Sequence, residues 1–326
     1  MKDPCGRTID YIRISITDRC NLRCMYCMPE TGVLPRAHHD VLRYEELERV
    51  VSCARDLGIG RVRVTGGEPL VRLGLPGFIR RIAALPGIEE VSMTTNGQLL
   101  SPMARELKAA GLARVNISLD TLNPETFDAI CRRGGLDRVL AGIDAALDAG
   151  LVPVKVNMVV MKGINDHEVA DFAALTLERP LHVRFIELMP LGDAGDMQPD
   201  CFVPASVIRA RLEAQCRLHP SAGVTGNGPA RYYRLEGGKG TVGFIAPLSE
   251  HFCGACNRLR LSSTGGLSPC LGSPDEVDLR EPLRNGASDE EIRDLIRRAI
   301  LAKPAGHDMA NQPDRARRRR MHRLGG

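Results

Sequence analysis

Tyr11-Ile12-Arg13-Ile14-Ser15-Ile16-Thr17-Asp18-Arg19-Cys20-Asn21-Leu22-Arg23-Cys24-Met25-Tyr26-Cys27 decides how the chain is read. Residues 11–16 alternate at period two, as a strand does. The strand runs straight into a loop whose cysteines are spaced C-x3-C-x2-C. The strand-then-loop rhythm recurs downstream. Strands are expected at 61–65, 91–94, 115–118, 152–160 and 182–186, each separated from the next by a helical run. Tyr44 to Leu57 places Leu47, Val50, Val51, Ala54 and Leu57 on one face, and Gly58 follows as a stop. Helices are also expected at 78–85, from Ser101-Pro102 to Gly111, and at 136–149 and 166–178.

Six β/α units in series predict a parallel sheet with crossover helices. Six strands are too few for a closed eight-stranded barrel, so an incomplete (β/α)6 TIM-like barrel is expected. Its reactive groups should gather at the C-terminal strand ends. Those ends include Thr65-Gly66-Gly67-Glu68-Pro69, Thr94-Thr95-Asn96-Gly97, Ser118-Leu119-Asp120-Thr121 and Glu187-Leu188-Met189-Pro190. After Pro190 the rhythm breaks. Residues 191–200 read as a Gly/Asp/Pro loop, 221–230 as a linker, and 231–270 as β-hairpins. Asp289 to Ala302 reads as a helix capped by Ser288. The expected organisation is a barrel domain over 1–220 and a smaller α+β domain over 221–326.

Composition narrows the class. The 326 residues are 43% hydrophobic and 26% charged, as in ordinary globular chains. No apolar run approaches the ~18 residues of a membrane helix, and no export signal is visible, so a cytoplasmic setting is expected. Lys and Arg total 44 against 40 Asp and Glu. Six of the arginines (315, 317, 318, 319, 320 and 323) lie in the last twelve residues, which hold no acid. The body is therefore close to neutral. Trp is absent and aromatics are 4%, which argues against a stacking platform for nucleic acid.

Eleven cysteines without an export signal point away from disulfides. Cys5, Cys53, Cys131, Cys201 and Cys216 are isolated and read as small apolar residues. The rest form two triplets. Cys20, Cys24 and Cys27 offer three thiolates on one loop, one fewer than a cubane iron–sulfur cluster commonly takes. Cys253, Cys256 and Cys270 repeat the same deficit. Zinc remains an alternative, with His38 or His39 completing the first site and His251 the second. Two open clusters would instead leave an iron for a ligand at each.

Arg13 and Arg63 sit inside strands, and Lys155 interrupts an otherwise apolar strand. They could face solvent, but neither face of a helix-covered parallel sheet is freely solvated. An inward charge needs a partner, and a bound triphosphate would serve all three. Arg258 and Arg260 alternate on a strand just after Cys256 and so share a face.

The run 18–29 resembles the signature of the radical S-adenosylmethionine (SAM) enzymes, and Gly66-Gly67-Glu68 resembles their GGE motif. Phe252-Cys253-Gly254-Ala255-Cys256-Asn257-Arg258-Leu259-Arg260-Leu261, Pro269-Cys270-Leu271 and the terminal Gly325-Gly326 narrow this. Together they resemble the GTP 3′,8-cyclases, the family that opens molybdenum-cofactor biosynthesis. The resemblance implies two [4Fe–4S] clusters, one on Cys20, Cys24 and Cys27 and one on Cys253, Cys256 and Cys270. It implies SAM contacts at Tyr26, Gly67, Ser118 and Met189. It implies GTP contacts at Arg13, Arg63, Thr94, Lys155, Arg258, Leu259 and Arg260. No side chain is implied as catalyst, since SAM and the clusters carry the radical chemistry. That chemistry is abstraction of the ribose 3′-hydrogen and closure of C3′ onto C8 of guanine. A homodimer, an outside electron donor and a product taken up by cyclic pyranopterin monophosphate synthase are also implied. The Gly-Gly tail is either a solvated end or a strap that threads close to the active site.

Two rival readings stand beside this one. A radical SAM enzyme acting on a peptide or other small molecule would favour such ligands over GTP. A two-zinc protein binding nucleic acid through its Arg tail would hold zinc and bind with strong salt dependence.

Overall fold

The computed structural model describes residues 1–34, 36–222, 224, 226, 228–309 and 311. The expected strands form as β1 (Tyr11–Ser15), β2 (Arg61–Thr65), β3 (Glu90–Thr95), β4 (Arg114–Ser118), β5 (Val154–Val160) and β6 (Leu181–Glu187). They pair in that order, every pair parallel. The crossover helices are α1 (Tyr44–Asp56), α2 (Leu75–Ala83), α3 (Leu100–Ala109), α4 (Pro124–Cys131), α5 (Leu136–Asp148) and α6 (Val169–Glu178).

The chain beyond β6 departs from the expectation in its helices and in its sheet. Residues 194–201, expected as loop, form α7 (Ala194–Cys201) despite Pro199 inside it. Residues 205–213 form α8 (Ala205–Glu213), which no periodicity announced. The C-terminal strands are β7 (Leu218–Pro220), β8 (Arg231–Leu235), β9 (Thr241–Ile245), β10 (Arg258–Leu261), β11 (Gly266–Ser268) and β12 (Val277–Asp278). Among the described residues the sheet runs β12-β11-β10-β1-β2-β3-β4-β5-β6-β9-β8-β7. β10 lies parallel to β1 and β9 parallel to β6, so the parallel run is eight strands wide rather than six. Residues 246–257 connect β9 on one flank of the barrel to β10 on the other, and carry Cys253 and Cys256 with them. The last helices are α9 (Arg280–Arg284) and α10 (Asp289–Leu301). α10 begins at the expected Ser288, in a capping box with Glu291.

Period two divides each strand between two environments. One row is apolar: Ile12 and Ile14, Val62 and Val64, Val115 and Ile117, Val183 and Phe185 are buried in the main core. Each such residue contributes about 1.5–3 kcal/mol when fully buried. The alternate row is polar. Register aligns Arg260, Arg13, Arg63, Ser92 and Arg114 across five adjacent strands. The sheet thus has one face for stability and one for chemistry.

Candidate active site

One cavity of about 280 Å³ is lined by all six triplet cysteines. Tyr26, Gly67, Ser118 and Met189 line it, as do Arg13, Arg63, Thr94, Arg258 and Arg260. Two proposed contacts fall outside it. Lys155 is buried at 1% exposure but does not line this cavity. The side chain of Leu259 is fully buried in the main core, because one step along β10 turns it away from Arg258 and Arg260, so only its backbone could meet a ligand.

At one end lies the first triplet. Its loop turns at Cys24, whose carbonyl accepts from Cys27 N at 2.9 Å and Met28 N at 3.1 Å. The end of α4 braces the loop, with Cys131 O and Ile130 O accepting from Arg23 N and Met25 N. The GGE turn packs against it. A Cβ on Gly67 would stand 2.3 Å from Arg19 O, so only glycine fits. Glu68 is fully buried and accepts from Leu70 N, Thr95 Oγ1 and Asn96 N at 3.0, 2.8 and 2.7 Å. Burial outweighs these bonds and pushes its carboxyl up to about 7. Asp120 accepts from Tyr26 OH at 2.7 Å and Val159 N at 2.8 Å, and burial takes it up to about 6. Burial also pushes the Cys20 thiol up to about 12. Two hydrogen bonds nevertheless point at its sulfur, from Leu22 N at 3.4 Å and Asn96 Nδ2 at 3.8 Å. The neighbouring Cys131 and burial likewise raise the Cys24 thiol, and thiols that resist ionisation alone, beside two carboxyls, suit a cationic centre that would draw the thiolates out.

The other end is cationic. Arg63, Arg184 and Arg260 line it and are buried, while Arg114 and Lys155 are buried and interact with them without lining the cavity. Arg114 takes Glu90 in a two-pronged pair at 3.0 and 2.6 Å and keeps Nη1 buried without a partner. Arg63 Nε donates to Ser92 Oγ at 3.3 Å and Arg184 Nε to Asn157 Oδ1 at 2.8 Å, both neutral acceptors. Arg13 Nε is buried and unpartnered. Burial, with repulsion from neighbouring guanidiniums, lowers the pKa of Arg13, Arg63, Arg184 and Arg260. Burial and then Arg184, Arg114 and Arg63 pull Lys155 down to about 6. Holding so many cations together costs several kcal/mol per ion unless an anion joins them.

The second triplet belongs to this cationic end. Burial raises the Cys256 thiol, but Arg258 and Lys303 outweigh it and bring it down to about 6. Thiolate is thus the favoured form there, as metal binding requires. Among the described residues, the ligand atoms of His251, Cys253 and His307 also lie within 4.8 Å of one another. That geometry keeps a histidine beside the triplet, as the zinc alternative supposed.

Several cavity residues escaped sequence reasoning. Arg184 carried the same signal as Arg63, a cation within an apolar strand. Asp120 stood in a strand-end turn and gave no distinct signal. Lys303, His307 and Met309 line the cavity from the segment after α10. The Gly-Gly end lies outside the described residues. Of the isolated cysteines, Cys5 is exposed, against expectation, while Cys131 is buried with its sulfur 3.9 Å from that of Cys24.

Residues 14–176 match the Radical SAM superfamily model, and residues 181–309 match Molybdenum Cofactor Synthesis C. The chain is 54% identical over 327 residues to the GTP 3′,8-cyclase of Heliobacterium modesticaldum, covering all of both chains. It is 52% identical to that of Syntrophomonas wolfei over 326 residues and 51% identical to that of Moorella thermoacetica over 329, again over the full length of each. Among solved structures, Streptococcus suis SuiB bound to S-adenosylmethionine superposes with a TM-score of 0.63 at 15% identity. That match covers 94% of this chain and 74% of SuiB, and it shows the shared fold.

Proposed function

The chain belongs to the GTP 3′,8-cyclases, radical SAM enzymes of molybdenum-cofactor synthesis, and from that premise we propose how its one cavity divides the work. Membership brings a [4Fe–4S] cluster and SAM. We assign that cluster to Cys20, Cys24 and Cys27, and SAM to the same end with Tyr26, Gly67, Ser118 and Met189. We assign a second [4Fe–4S] cluster to Cys253, Cys256 and Cys270. The triphosphate of GTP goes to Arg13, Arg63, Lys155, Arg258 and Arg260, with Thr94 and with Arg184 added. Leu259 holds β10 in the core with its side chain and would meet GTP only through its backbone.

The observation that carries this reading is the charge separation within a single cavity. Glu68 and Asp120 stand at the first triplet, where SAM brings a sulfonium and an amino group. The buried cations stand at the second, where GTP brings phosphates. When bound, the first cluster and SAM supply one-electron cleavage and hydrogen-atom abstraction from the ribose. The protein does the rest. The arginines fix the phosphates and so set where C3′ lies. The apolar row behind them keeps the sheet in place. Tyr26, held by Asp120, fixes the first loop against β4 and β5.

The likeness to SuiB is one of fold. Zinc would not need two open triplets facing each other across one cavity. Residues 1–220 would provide the SAM half and 221–326 the second triplet. Family membership also supports a cytoplasmic homodimer, an outside electron donor and transfer of the product to cyclic pyranopterin monophosphate synthase. Among the described residues no helix is long and apolar enough to cross a membrane.

The test is a pair of variants. Cys24→Ala should abolish SAM cleavage, and retained cleavage would remove the first assignment. Cys256→Ala should keep some SAM cleavage and lose cyclisation, and unchanged GTP turnover would take the second triplet out of the substrate site.

A further inference from the structure

The three cysteines of the second triplet come from a 3-10 turn and a hairpin turn, neither of them rigid by itself. Cys253 and Cys256 flank the turn before β10, and Cys270 follows β11. Something must hold these segments in one frame. Lys303 does so directly. It is buried at 4% exposure, and its Nζ donates to Arg258 O at 2.8 Å and to Pro269 O at 2.7 Å. Arg258 stands two residues after Cys256, and Pro269 immediately precedes Cys270. An ammonium has three donors. Two are spent on these carbonyls, and the Cys256 sulfur is a further hydrogen-bond partner.

The remaining ligand is tied in by Arg7. Its Nη1 donates to Cys253 O at 2.8 Å and to Ala305 O at 3.1 Å, and its Nη2 donates to Pro304 O at 2.7 Å. Asp3 fixes the guanidinium through Nε at 2.6 Å. Arg7 therefore joins Cys253 to the two residues that follow Lys303. The N-terminal segment and the end of α10 lace together all three ligand-bearing stretches.

Resting on the second-cluster reading above, we propose that Lys303 is the positioning residue of that cluster. Its ammonium holds the Cys256 and Cys270 segments together and places a fixed positive charge beside their sulfurs. The charge stabilises the more negative, reduced state of a cluster bound there. Hydrogen bonds to cluster sulfurs and local net charge are the levers that set such potentials.

The experiment uses the full chain with Cys20, Cys24 and Cys27 all changed to Ala, so that only the second triplet can load. Iron content, iron loss to a chelator and an anaerobic redox titration followed by electron paramagnetic resonance are measured. They are compared for Lys303 and for Lys303→Met, Lys303→Gln and Lys303→Arg. Lys303→Met should lose iron about 10–100-fold more readily, the usual scale for a residue behind the metal ligands. Its midpoint potential should move to a more negative value. Lys303→Gln keeps donors without charge, so it should recover iron retention in part and leave the potential low. Lys303→Arg should restore both.

Unchanged potentials in Lys303→Met and Lys303→Gln would overturn the proposal. So would failure of both to load iron, which would make Lys303 a folding residue only. If the parent variant itself takes up no four-iron cluster, the second-cluster reading fails, and the result is distinct from failure of the Lys303 assignment.

Discussion

GTP binding should carry a proton with it, and Lys155 should be where that proton goes. Burial and the three neighbouring guanidiniums hold Lys155 at about 6, against an ordinary 10.5. The difference corresponds to roughly 6 kcal/mol disfavouring its charged form. At pH 8 such a group is about 99% neutral before substrate arrives. Phosphate oxygens beside it reverse the balance and return its pKa toward the ordinary value. The terminal phosphate of the nucleotide, with a pKa of about 6, is already ionised at pH 8 and contributes no proton of its own.

Binding at pH 8 should therefore take up close to one proton. The affinity should fall about tenfold per pH unit from about pH 7 to pH 9. Anaerobic calorimetry in two buffers of different ionisation enthalpy counts the proton directly. In Lys155→Met the uptake should vanish and the affinity should become flat with pH above 7. Its Kd at pH 7 should weaken roughly 10- to 150-fold, the value of about 1.5–3 kcal/mol for a hydrogen bond to a charged group. The same group acts on stability with a definite sign. Between its folded pKa of about 6 and its unfolded value, the unfolded chain binds more protons. The empty protein should therefore gain about 1.4 kcal/mol per pH unit from this residue as pH rises through that window. Equal proton uptake in the native protein and in Lys155→Met would refute the reasoning.

Two further outcomes follow from buried partners. Glu187 accepts from Ala205 N, Leu248 N and Ser249 N at 2.8, 2.9 and 3.1 Å, and also from the Ser249 hydroxyl. Glu187→Ala leaves these donors unmet at about 1–3 kcal/mol each. It should lower the melting temperature and deplete iron at the second triplet before the first, as read by iron counts in single-triplet backgrounds. Arg184→Ala removes a buried cation held by Asn157, and should weaken GTP more than guanosine in equilibrium binding. Equal weakening of both would take Arg184 off the phosphates.

The barrel was legible because one physical rule sufficed. Period-two alternation in β1 to β6 distinguishes the core row from the polar row, and the same rule brought out Arg13, Arg63 and Lys155. Applied to His182-Val183-Arg184-Phe185-Ile186 it would also have found Arg184. α4 is signalled by Asn123-Pro124, a cap followed by proline in the first turn. α7 carries Gly195 and Pro199, residues that break helices by propensity, and the fold overrides them. Arg7 and Lys303 had no local signal at all. Their meaning lies in carbonyls far along the chain, such as Cys253 O at 246 residues from Arg7. Nor could local sequence show that one cavity is lined by Asp120 with the first triplet and by Arg13, Arg63, Arg184 and Arg260, since these meet only in space.

The most direct measurement is anaerobic turnover of reconstituted protein with SAM, a reductant and GTP deuterated at C3′, followed by mass analysis of the 5′-deoxyadenosine formed. The expected result is one deuterium in that product, which places hydrogen abstraction on the ribose held by the cationic end of the cavity. Unlabelled 5′-deoxyadenosine formed at the same rate would contradict the placement of GTP between the two triplets.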